Sequence, residues 1–380
     1  FFVVAVNQCA LEYRNHFLCR FSGLHMDQDD PFACFGSSDS ENDDEDARVE
    51  NENEDERVRH NVLQGRRLQM AANARRANAS LVHLPLFSND FEVYEDVNRG
   101  KGLRALRSYK CGDEIMREGA AMRVTNVYAA STEAQAKNMF EKAVHSVFDA
   151  LPEETQDCVM NLSCCNQHVT TDGDATLVGM YQTNSFQLGA ESDSGLFLTV
   201  ARMNHSCRPN ANHFWRPDLQ MTLVLATRDI YAGQEICNTY GPSECMKTQE
   251  RRKHLSDRFS FECMCEMCCE GNTIGGDDRM AQINSLHENV SLCAASGKAE
   301  EAIQYVDECL KLLKEQGIGS GVFSKPLLHY GYQIALTKLH DDVMARLYLE
   351  HELVAVTNSE GHGSDRAVDI ERALEEMNSR

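Results

Sequence analysis

Two clusters of polar and sulfur-containing residues have the types and spacing that chemistry requires. The first spans residues 202–210 and reads Arg-Met-Asn-His-Ser-Cys-Arg-Pro-Asn. Within it, His205 and Cys207 are two positions apart and share a face if the segment is extended. A thiolate activated by an imidazole is one possible use of such a pair, so a cysteine hydrolase is an open interpretation of this cluster.

The second cluster offers thiols for a metal. Cys263, Cys265 and Cys268 follow a C-x-C-x-x-C pattern, with Cys269 as a spare thiol beside them. Three thiolates form a partial cage for zinc, which prefers four ligands in a tetrahedron, so a distant residue must supply the fourth. A redox pair of Cys265 and Cys268 is the alternative, and the extra thiol two residues earlier disfavours it.

These motifs, in this order, resemble the SET-domain protein lysine methyltransferases. The resemblance rests on Asn204-His205-Ser206-Cys207-x-Pro209-Asn210, then Gly233-Gln234-Glu235-Ile236 with Tyr240-Gly241, then C-x-C-x-x-C. It extends from about Val93 to Cys268 and is strongest for the branch related to the SET-and-MYND-domain enzymes. There is one departure, because the only cysteines of residues 125–177 are Cys158, Cys164 and Cys165, with His168 near them. That number is too small for the double-zinc MYND module.

The resemblance implies a role for each residue that matches the family pattern. Cys207 joins Cys263, Cys265 and Cys268 as ligands of one structural zinc ion. The cofactor implied is S-adenosylmethionine, and Tyr240 is the catalytic residue that orients the amine and the methyl group. The cofactor-binding residues implied are Arg99, Lys101, Gly102, Leu103, Asn204, His205, Tyr240 and Phe261, and the substrate-channel residues are Asn184, Phe186 and Phe259.

Each of these residues also has a plain structural interpretation. Arg99 and Lys101 could be exposed turn charges, and His205 could be a buried, hydrogen-bonded side chain. Tyr240 and Phe186 could be ordinary aromatic residues of strands.

The hydrophobic periodicity predicts an α+β fold. Strands are expected at Phe91–Glu95, Met221–Ala226 and Glu235–Tyr240, with a turn at residues 98–102 and a strand pair at Leu103–Leu106 and Glu114–Arg117. Between about Thr125 and Leu177 the pattern becomes helical, with a capping box at Thr132 and a second helix from Pro152. Beyond Gly276 the chain is helical to its end, either as a repeat-like solenoid or as a plain bundle.

The predicted organisation therefore has four parts. Residues 1–80 form a largely disordered linker, with eleven acidic residues in Asp39–Glu56 and six arginines in Arg57–Arg76. Residues 88–243 form the strand-rich SET domain with its helical insertion. Residues 244–270 form the zinc-bearing post-SET segment, and residues 276–380 form an all-helical C-terminal domain. The paired arginines at 66–67 and 75–76 are either a nuclear import signal or a solvated linker.

Composition limits the partners and the compartment. The net charge of -22 argues against direct nucleic-acid binding and favours a basic peptide, such as a histone or non-histone protein substrate. Neither a membrane span nor a signal peptide is visible, so the sixteen cysteines are expected to be reduced or metal-bound in the nucleus, the cytoplasm or both. A monomer is expected. The chain does not begin with Met, so it is either a fragment or starts at Met26. A SET-fold peptide-binding module without turnover remains the alternative to an enzyme.

Overall fold

The computed structural model describes residues 88–97, 99–125, 132–189, 193–241, 246–270, 276–318 and 323–379. The described residues belong to one compact unit that includes Leu84–Arg380. The predicted acidic and arginine-rich linker, with its import signal, lies outside the described residues. The domain boundaries taken from the sequence stay a prediction.

Ten strands form three small sheets within the described residues. The strands are β1 (Phe91–Asp96), β2 (Gly100–Ala105), β3 (Glu114–Glu118), β4 (Met122–Thr125), β5 (Ser185–Gln187), β6 (Asp193–Leu196), β7 (Asn204–His205), β8 (Ala211–Arg216), β9 (Met221–Ala226) and β10 (Glu235–Asn238). Their orders are β1-β2-β10-β7, β3-β9-β8 and β4-β6-β5. Aliphatic and aromatic side chains of the first two sheets share a core around Phe91, Leu103 and Ile236.

The helices lie in three groups along the chain. The first holds α1 (Glu133–Asp149), α2 (Glu153–Met160) and α3 (Leu177–Asn184), with a short 3-10 turn at Asn166–His168. The second holds α4 (Thr248–Phe259) and α5 (Glu266–Glu270). The third holds α6 (Gly276–Ala295), α7 (Ala299–Glu315), α8 (Lys325–Ile334), α9 (Asp342–Glu360) and α10 (Asp365–Asn378), with a π-helical turn at Ala335–Leu339. No helix in these described stretches is long and apolar enough to cross a membrane.

The predicted pairing of neighbouring strands around residue 110 is wrong. β2 pairs with β1 on one side and β10 on the other, whereas β3 pairs with β9. The predicted turn at residues 98–102 is also shorter than expected, since Gly100 to Gly102 already belong to β2. Proximity in sequence suggested a hairpin here, but the buried apolar faces of distant strands decide the pairing.

The helical insertion forms as the sequence predicts. Thr132 caps α1, where its Oγ1 accepts a hydrogen bond from the Gln135 backbone N–H at 3.2 Å. Val144 of α1 and Val159 of α2 are fully buried against Met122 and Leu196 of the β4-β6-β5 sheet. The insertion therefore has its own apolar cluster on that sheet.

The C-terminal helices pack against the strand region as well as against each other. Ala302, Ile303, Val306 and Leu313 of α7 are buried in one stripe, as their helical spacing predicts. The Asn212 amide of β8 donates to the Ser359 carbonyl of α9 at 2.8 Å. The α+β class, with a helical insertion and a helical C-terminal region, is confirmed.

Candidate active site and metal centre

The site begins where β7 and β10 lie side by side. They pair in parallel, with Asn204 opposite Cys237 and His205 opposite Asn238. Asn210, which is 6% exposed, fixes the loop after β7 to β10, because its amide donates to the Glu235 carbonyl and accepts from the Cys237 N–H, both at 2.8 Å. Asn210 lies in the motif of residues 204–210, but its sequence position alone indicated no role for it. This pairing places the end of β10 next to β7.

Tyr240 follows β10 and is held at both ends. Its backbone N–H donates to His205 Nδ1 at 3.1 Å, and its hydroxyl donates to the Met203 carbonyl at 2.8 Å. Burial raises the pKa of the Tyr240 phenol, so the hydroxyl keeps its proton. Since the hydroxyl donates its hydrogen bond to the Met203 carbonyl, the lone pairs of its oxygen remain to accept a hydrogen bond from another partner.

His205 connects Tyr240 to the thiol cluster. Because Nδ1 accepts from Tyr240, Nε2 carries the proton and donates to Cys207 Sγ, 3.2 Å away. Burial lowers the pKa of His205 to about 4, which keeps the ring neutral. Both ring nitrogens are thus used within the protein, so His205 can offer a cofactor only its ring face and its backbone groups.

Aromatic rings from the end of α4 and the segment after it surround Tyr240. The Phe259 ring lies 5.1 Å from the Tyr240 ring, and the Phe261 ring lies 6.2 Å from it at an interplanar angle of 86°. Phe261 is also 6.1 Å from His205. The structure therefore brings Tyr240, His205, Phe259 and Phe261 together, and their roles in an active site stay a prediction.

The two other predicted channel residues lie in different surroundings. The Phe186 ring is 4.3 Å from His213 and 6.2 Å from Phe197, and no ring contact joins it to Tyr240 among the described residues. Asn184 is buried, and its amide donates to the carbonyls of Ser163 and Met180, each at 2.7 Å. Its role as a channel wall stays a prediction.

Asn184 belongs instead to a bridge between the insertion and the aromatic segment. The Cys165 N–H donates to Thr183 Oγ1 at 3.0 Å, beside the Ser163 carbonyl that Asn184 binds. Cys165 Sγ lies 3.1 Å from Ser260 Oγ. Ser260 has a φ of 59°, a left-handed conformation that non-glycine residues rarely adopt. We call residues 163–165 the bridging segment, because it ties α3 to the residue between Phe259 and Phe261.

A carboxylate network lies next to Asn204. The Asn204 amide Nδ2 donates to Glu235 Oε1 at 2.8 Å, and the Arg99 guanidinium also binds the Glu235 carboxylate. Burial raises the pKa of Glu235, but the hydrogen bonds from Asn204, Arg99 and Tyr94 outweigh it, so the net pKa is lowered. Burial and the nearby Glu235 raise the pKa of Tyr94 to about 12. Glu235 is therefore an ionised acceptor that fixes which way the Asn204 amide points.

The other predicted cofactor residues of β2 contribute differently. A Cβ at Gly102 would lie 2.8 Å from Asn204 Nδ2 and 2.9 Å from Glu235 Oε1, so only glycine fits beside this network. Leu103 has no exposed surface and packs in the sheet core, whereas Lys101 is exposed. Only backbone groups of Leu103 can take part in a site.

A buried carboxylate fixes the turn that precedes Asn204. Glu118 accepts from the Thr199 and Val200 N–H groups, each at 2.9 Å, and is 3% exposed. Burial raises the pKa of Glu118 to about 7 despite these hydrogen bonds. Nothing in the sequence patterns pointed to this residue.

The four predicted metal ligands come together. The sulfur atoms of Cys207, Cys263, Cys265 and Cys268 all lie within 4.8 Å of one another. Cys207 Sγ is 3.9 Å from Cys263 Sγ and 3.5 Å from Cys268 Sγ. A tetrahedral zinc ion with four bonds of about 2.3 Å requires sulfur atoms about 3.8 Å apart, whereas a disulfide requires about 2.05 Å. The donor set and its spacing therefore fit zinc.

The position of Cys207 in the four-sulfur group argues against a cysteine hydrolase. Cys207 is 1% exposed and faces three other thiols, so a substrate has no access to its sulfur atom. Among the described residues this is the one group of such side chains that could hold a metal ion, and Cys158, Cys164 and His168 are not part of it.

Comparison with known proteins agrees with this geometry. Residues 100–241 match the SET domain family. This part of the chain is similar to SET domains. The match contains the β7–β10 pairing, Asn204 and Tyr240, while the three thiols of residues 263–268 follow it.

The similar proteins include methyltransferases of two named groups. Histone-lysine N-methyltransferase set5 of Schizosaccharomyces pombe is 33% identical over 47% of this chain and 50% of its own length. Protein-lysine N-methyltransferase SMYD4 of Mus musculus is 34% identical over 40% of this chain and 23% of its own length. Histone-lysine N-methyltransferase SMYD3 of Homo sapiens is 40% identical over 20% of this chain and 17% of its own length. This chain thus spans half or less of the length of each of these relatives.

Proposed function

We propose that this protein transfers a methyl group from S-adenosylmethionine to a lysine side chain of a protein. The observation that carries the proposal is the meeting of three distant segments at Tyr240. The segment of Met203 and His205 binds its hydroxyl and its backbone, and Phe259 at the end of α4 packs on its ring, so these two segments meet the end of β10 at Tyr240. The SET domain match and the names of the relatives support the same reaction.

The residues around Asn204 suit the amino-acid end of that cofactor. Glu235 accepts the hydrogen bond from Asn204 Nδ2, and the Asn204 Oδ1 atom accepts no hydrogen bond from the described residues. A free amide oxygen beside a fixed carboxylate favours a cationic ammonium group. We therefore assign Asn204 to the cofactor's amino group, Phe261 to its adenine ring and Arg99 to holding Glu235. When bound, S-adenosylmethionine supplies a methyl group on a positively charged sulfur atom.

Tyr240 and the aromatic residues around it would prepare the lysine. Free lysine has a pKa of about 10.4, so the amine must lose its proton before it can attack. A channel lined by Phe259 and closed to water disfavours the ammonium form, so no dedicated base is required. The Tyr240 hydroxyl donates to the Met203 carbonyl, so its oxygen can accept a hydrogen bond from an N–H of the neutral amine. This would hold the nitrogen lone pair in line with the methyl group.

The substrate is proposed to be a basic segment of a histone or another protein. The chain's net charge of -22 favours a partner rich in lysine and arginine. Relatives are named as histone-lysine and as protein-lysine methyltransferases, so both substrate classes are proposed. We also propose that the four cysteines hold a zinc ion and that the protein is a monomer. The proposal includes no direct nucleic-acid binding, and it places the protein in the nucleus, the cytoplasm or both.

The direct test is incubation with S-adenosylmethionine labelled in its methyl group. Purified histones and a cell extract are offered as substrates, and the labelled proteins are identified by mass spectrometry. We expect label on lysine side chains. A protein that binds the cofactor and basic peptides but labels none of them would favour the alternative, a peptide-binding module with the SET fold.

Glu235→Gln should weaken cofactor binding about ten-fold. An amide can donate as well as accept, so it no longer fixes the Asn204 amide with its oxygen free. Calorimetry with S-adenosylhomocysteine measures the loss, and methylthioadenosine, which lacks the amino-acid portion, should bind equally to both proteins. Glu92→Gln, which alters a half-buried carboxylate paired with Arg104 in the same sheet, serves as the control. Equal loss for both compounds would contradict the proposed role of Glu235.

Phe259→Tyr should shift the product towards monomethyllysine. Phenylalanine has no hydroxyl to hold a water or the amine, so the methylated amine can rotate and react again. The wild-type protein is therefore expected to proceed past one methyl group. Mass spectrometry of a methylated substrate gives the product ratio, and Phe140→Tyr, in the insertion, is the control for a change of aromatic residue elsewhere. An unchanged ratio in active Phe259→Tyr protein would place this residue outside the channel.

A further inference from the structure

A buried cation lies against the thiol cluster. Arg251 of α4 is 1% exposed, and it is one of the largest fully buried side chains among the described residues. Its Nη2 atom lies 3.7 Å from Cys268 Sγ and 3.0 Å from Thr248 Oγ1, and its Nη1 atom donates to the Met246 carbonyl at 2.5 Å. No carboxylate in the described part of the chain forms an ion pair with it.

That environment requires a source of negative charge. Burial of a guanidinium without a counter-charge is costly, and hydrogen bonds to one carbonyl and one hydroxyl do not neutralise it. Four thiolates around a divalent ion leave a net charge of about −2 on the site. The sulfur atoms are the anionic groups that Arg251 contacts. The buried guanidinium and the negatively charged thiolate site therefore compensate each other's charge at Cys268.

The adjacent arginine has a different task. Arg252 Nε donates to the Cys263 carbonyl at 3.2 Å and Nη2 donates to the Cys268 carbonyl at 3.3 Å, while its other end pairs with Glu262. Arg252 therefore holds the backbone of the ligand loop, whereas Arg251 faces the sulfur atoms. This division separates a charge effect from a shape effect within one helix.

We propose that Arg251 is the counter-ion of the metal centre and sets its affinity for zinc. The fixed positive charge stabilises four ionised thiolates and thereby the metal-bound state. This inference depends on the proposed zinc site, but not on methyl transfer. A second effect follows from the position of Arg251 on α4, the helix that ends at Phe259. The same contact joins the metal centre to the helix that carries this active-site ring.

A pair of variants of similar size separates charge from hydrogen bonding. Arg251→Gln removes the charge and keeps an amide donor for Met246, whereas Arg251→Lys keeps the charge and loses the planar fork. Zinc-loaded proteins are titrated with a chromogenic chelator, and folding is checked by circular dichroism. We expect the zinc affinity of Arg251→Gln to fall ten- to a hundred-fold and that of Arg251→Lys to fall much less. Lys253→Met, which removes an exposed charge paired with Asp257 on the same helix, should leave the affinity unchanged.

Each other outcome is also decisive. Unchanged zinc affinity in Arg251→Gln overturns the proposal, and so does an equal loss in the Gln and Lys variants, because hydrogen-bond geometry would then explain it. If Arg251→Gln does not fold, Arg251→Met provides the neutral comparison under the same criterion. Wild-type protein without zinc would refute the metal centre and this inference together. Normal zinc binding in a protein without methyltransferase activity would refute only the proposed function.

Discussion

Tyr240→Phe should reduce turnover by two or more orders of magnitude while the fold and cofactor binding remain nearly intact. A hundred-fold loss corresponds to about 3 kcal/mol of transition-state stabilisation. Only the hydroxyl is removed, so the ring contacts with Phe259 and His205 persist. The lost hydrogen bond to the Met203 carbonyl should cost about 1 kcal/mol of folding free energy, which a folded domain tolerates.

Steady-state kinetics and calorimetry together test this expectation. The rate constant for turnover should fall, whereas the dissociation constant of S-adenosylhomocysteine should stay within about two-fold. Tyr231→Phe is a matched control, because Tyr231 is 60% exposed in the turn before β10. Turnover at the normal rate in Tyr240→Phe would show that the hydroxyl does not orient the reacting groups.

Cys207→Ser should remove zinc as completely as Cys265→Ser does, although Cys207 is far from the other ligands in sequence. A serine hydroxyl is not ionised at neutral pH and is a poor zinc ligand, so three thiolates would remain. Structural zinc contributes directly to folding free energy. Both variants should therefore loosen the segment that carries Phe261, by a measurable increase in hydrogen exchange over residues 259–268.

Metal analysis of the purified variants gives the answer. Wild-type protein should contain one zinc ion per chain, and Cys269→Ser should contain as much, because Cys269 is exposed and outside the four-sulfur group. Full zinc occupancy in Cys207→Ser would mean that another residue supplies the fourth ligand. Loss of zinc in Cys269→Ser as well would point to general instability of the segment.

The sequence predicted the elements of this fold better than their partners. Helical periodicity and the capping residue Thr132 placed α1 correctly, because a helix is stabilised by residues close in sequence. The strands β2 and β3 were also expected, but not their pairing. β2 lies between β1 and β10, and β10 is far along the chain, so local patterns carry no information about that contact.

In the candidate site, too, the sequence predicted individual residues better than the contacts between them. Cys207 was assigned because an incomplete thiol motif needed a fourth ligand and a family resemblance supplied it. Glu235 lies in the Gly-Gln-Glu-Ile motif of residues 233–236, yet its contacts with Asn204 and Arg99 depend on strands that are distant in sequence. The bridging segment carried no recognisable motif, since Cys165 acts through contacts with Thr183, Arg258 and Ser260 that are distant in sequence. Residues that position others are harder to find than residues that carry the chemistry.

The central place of β2 also bears on how the chain assembles during synthesis. Residues 100–105 leave the ribosome well before their second partner strand, which begins at Glu235. At about 5–20 residues per second, the open edge of β2 waits roughly 10 s for β10. An unpaired edge strand is a site of aggregation, and Lys101 and Arg104 place positive charges on this one. Nascent chains stalled before residue 235 should therefore depend on chaperones more than chains that have passed it.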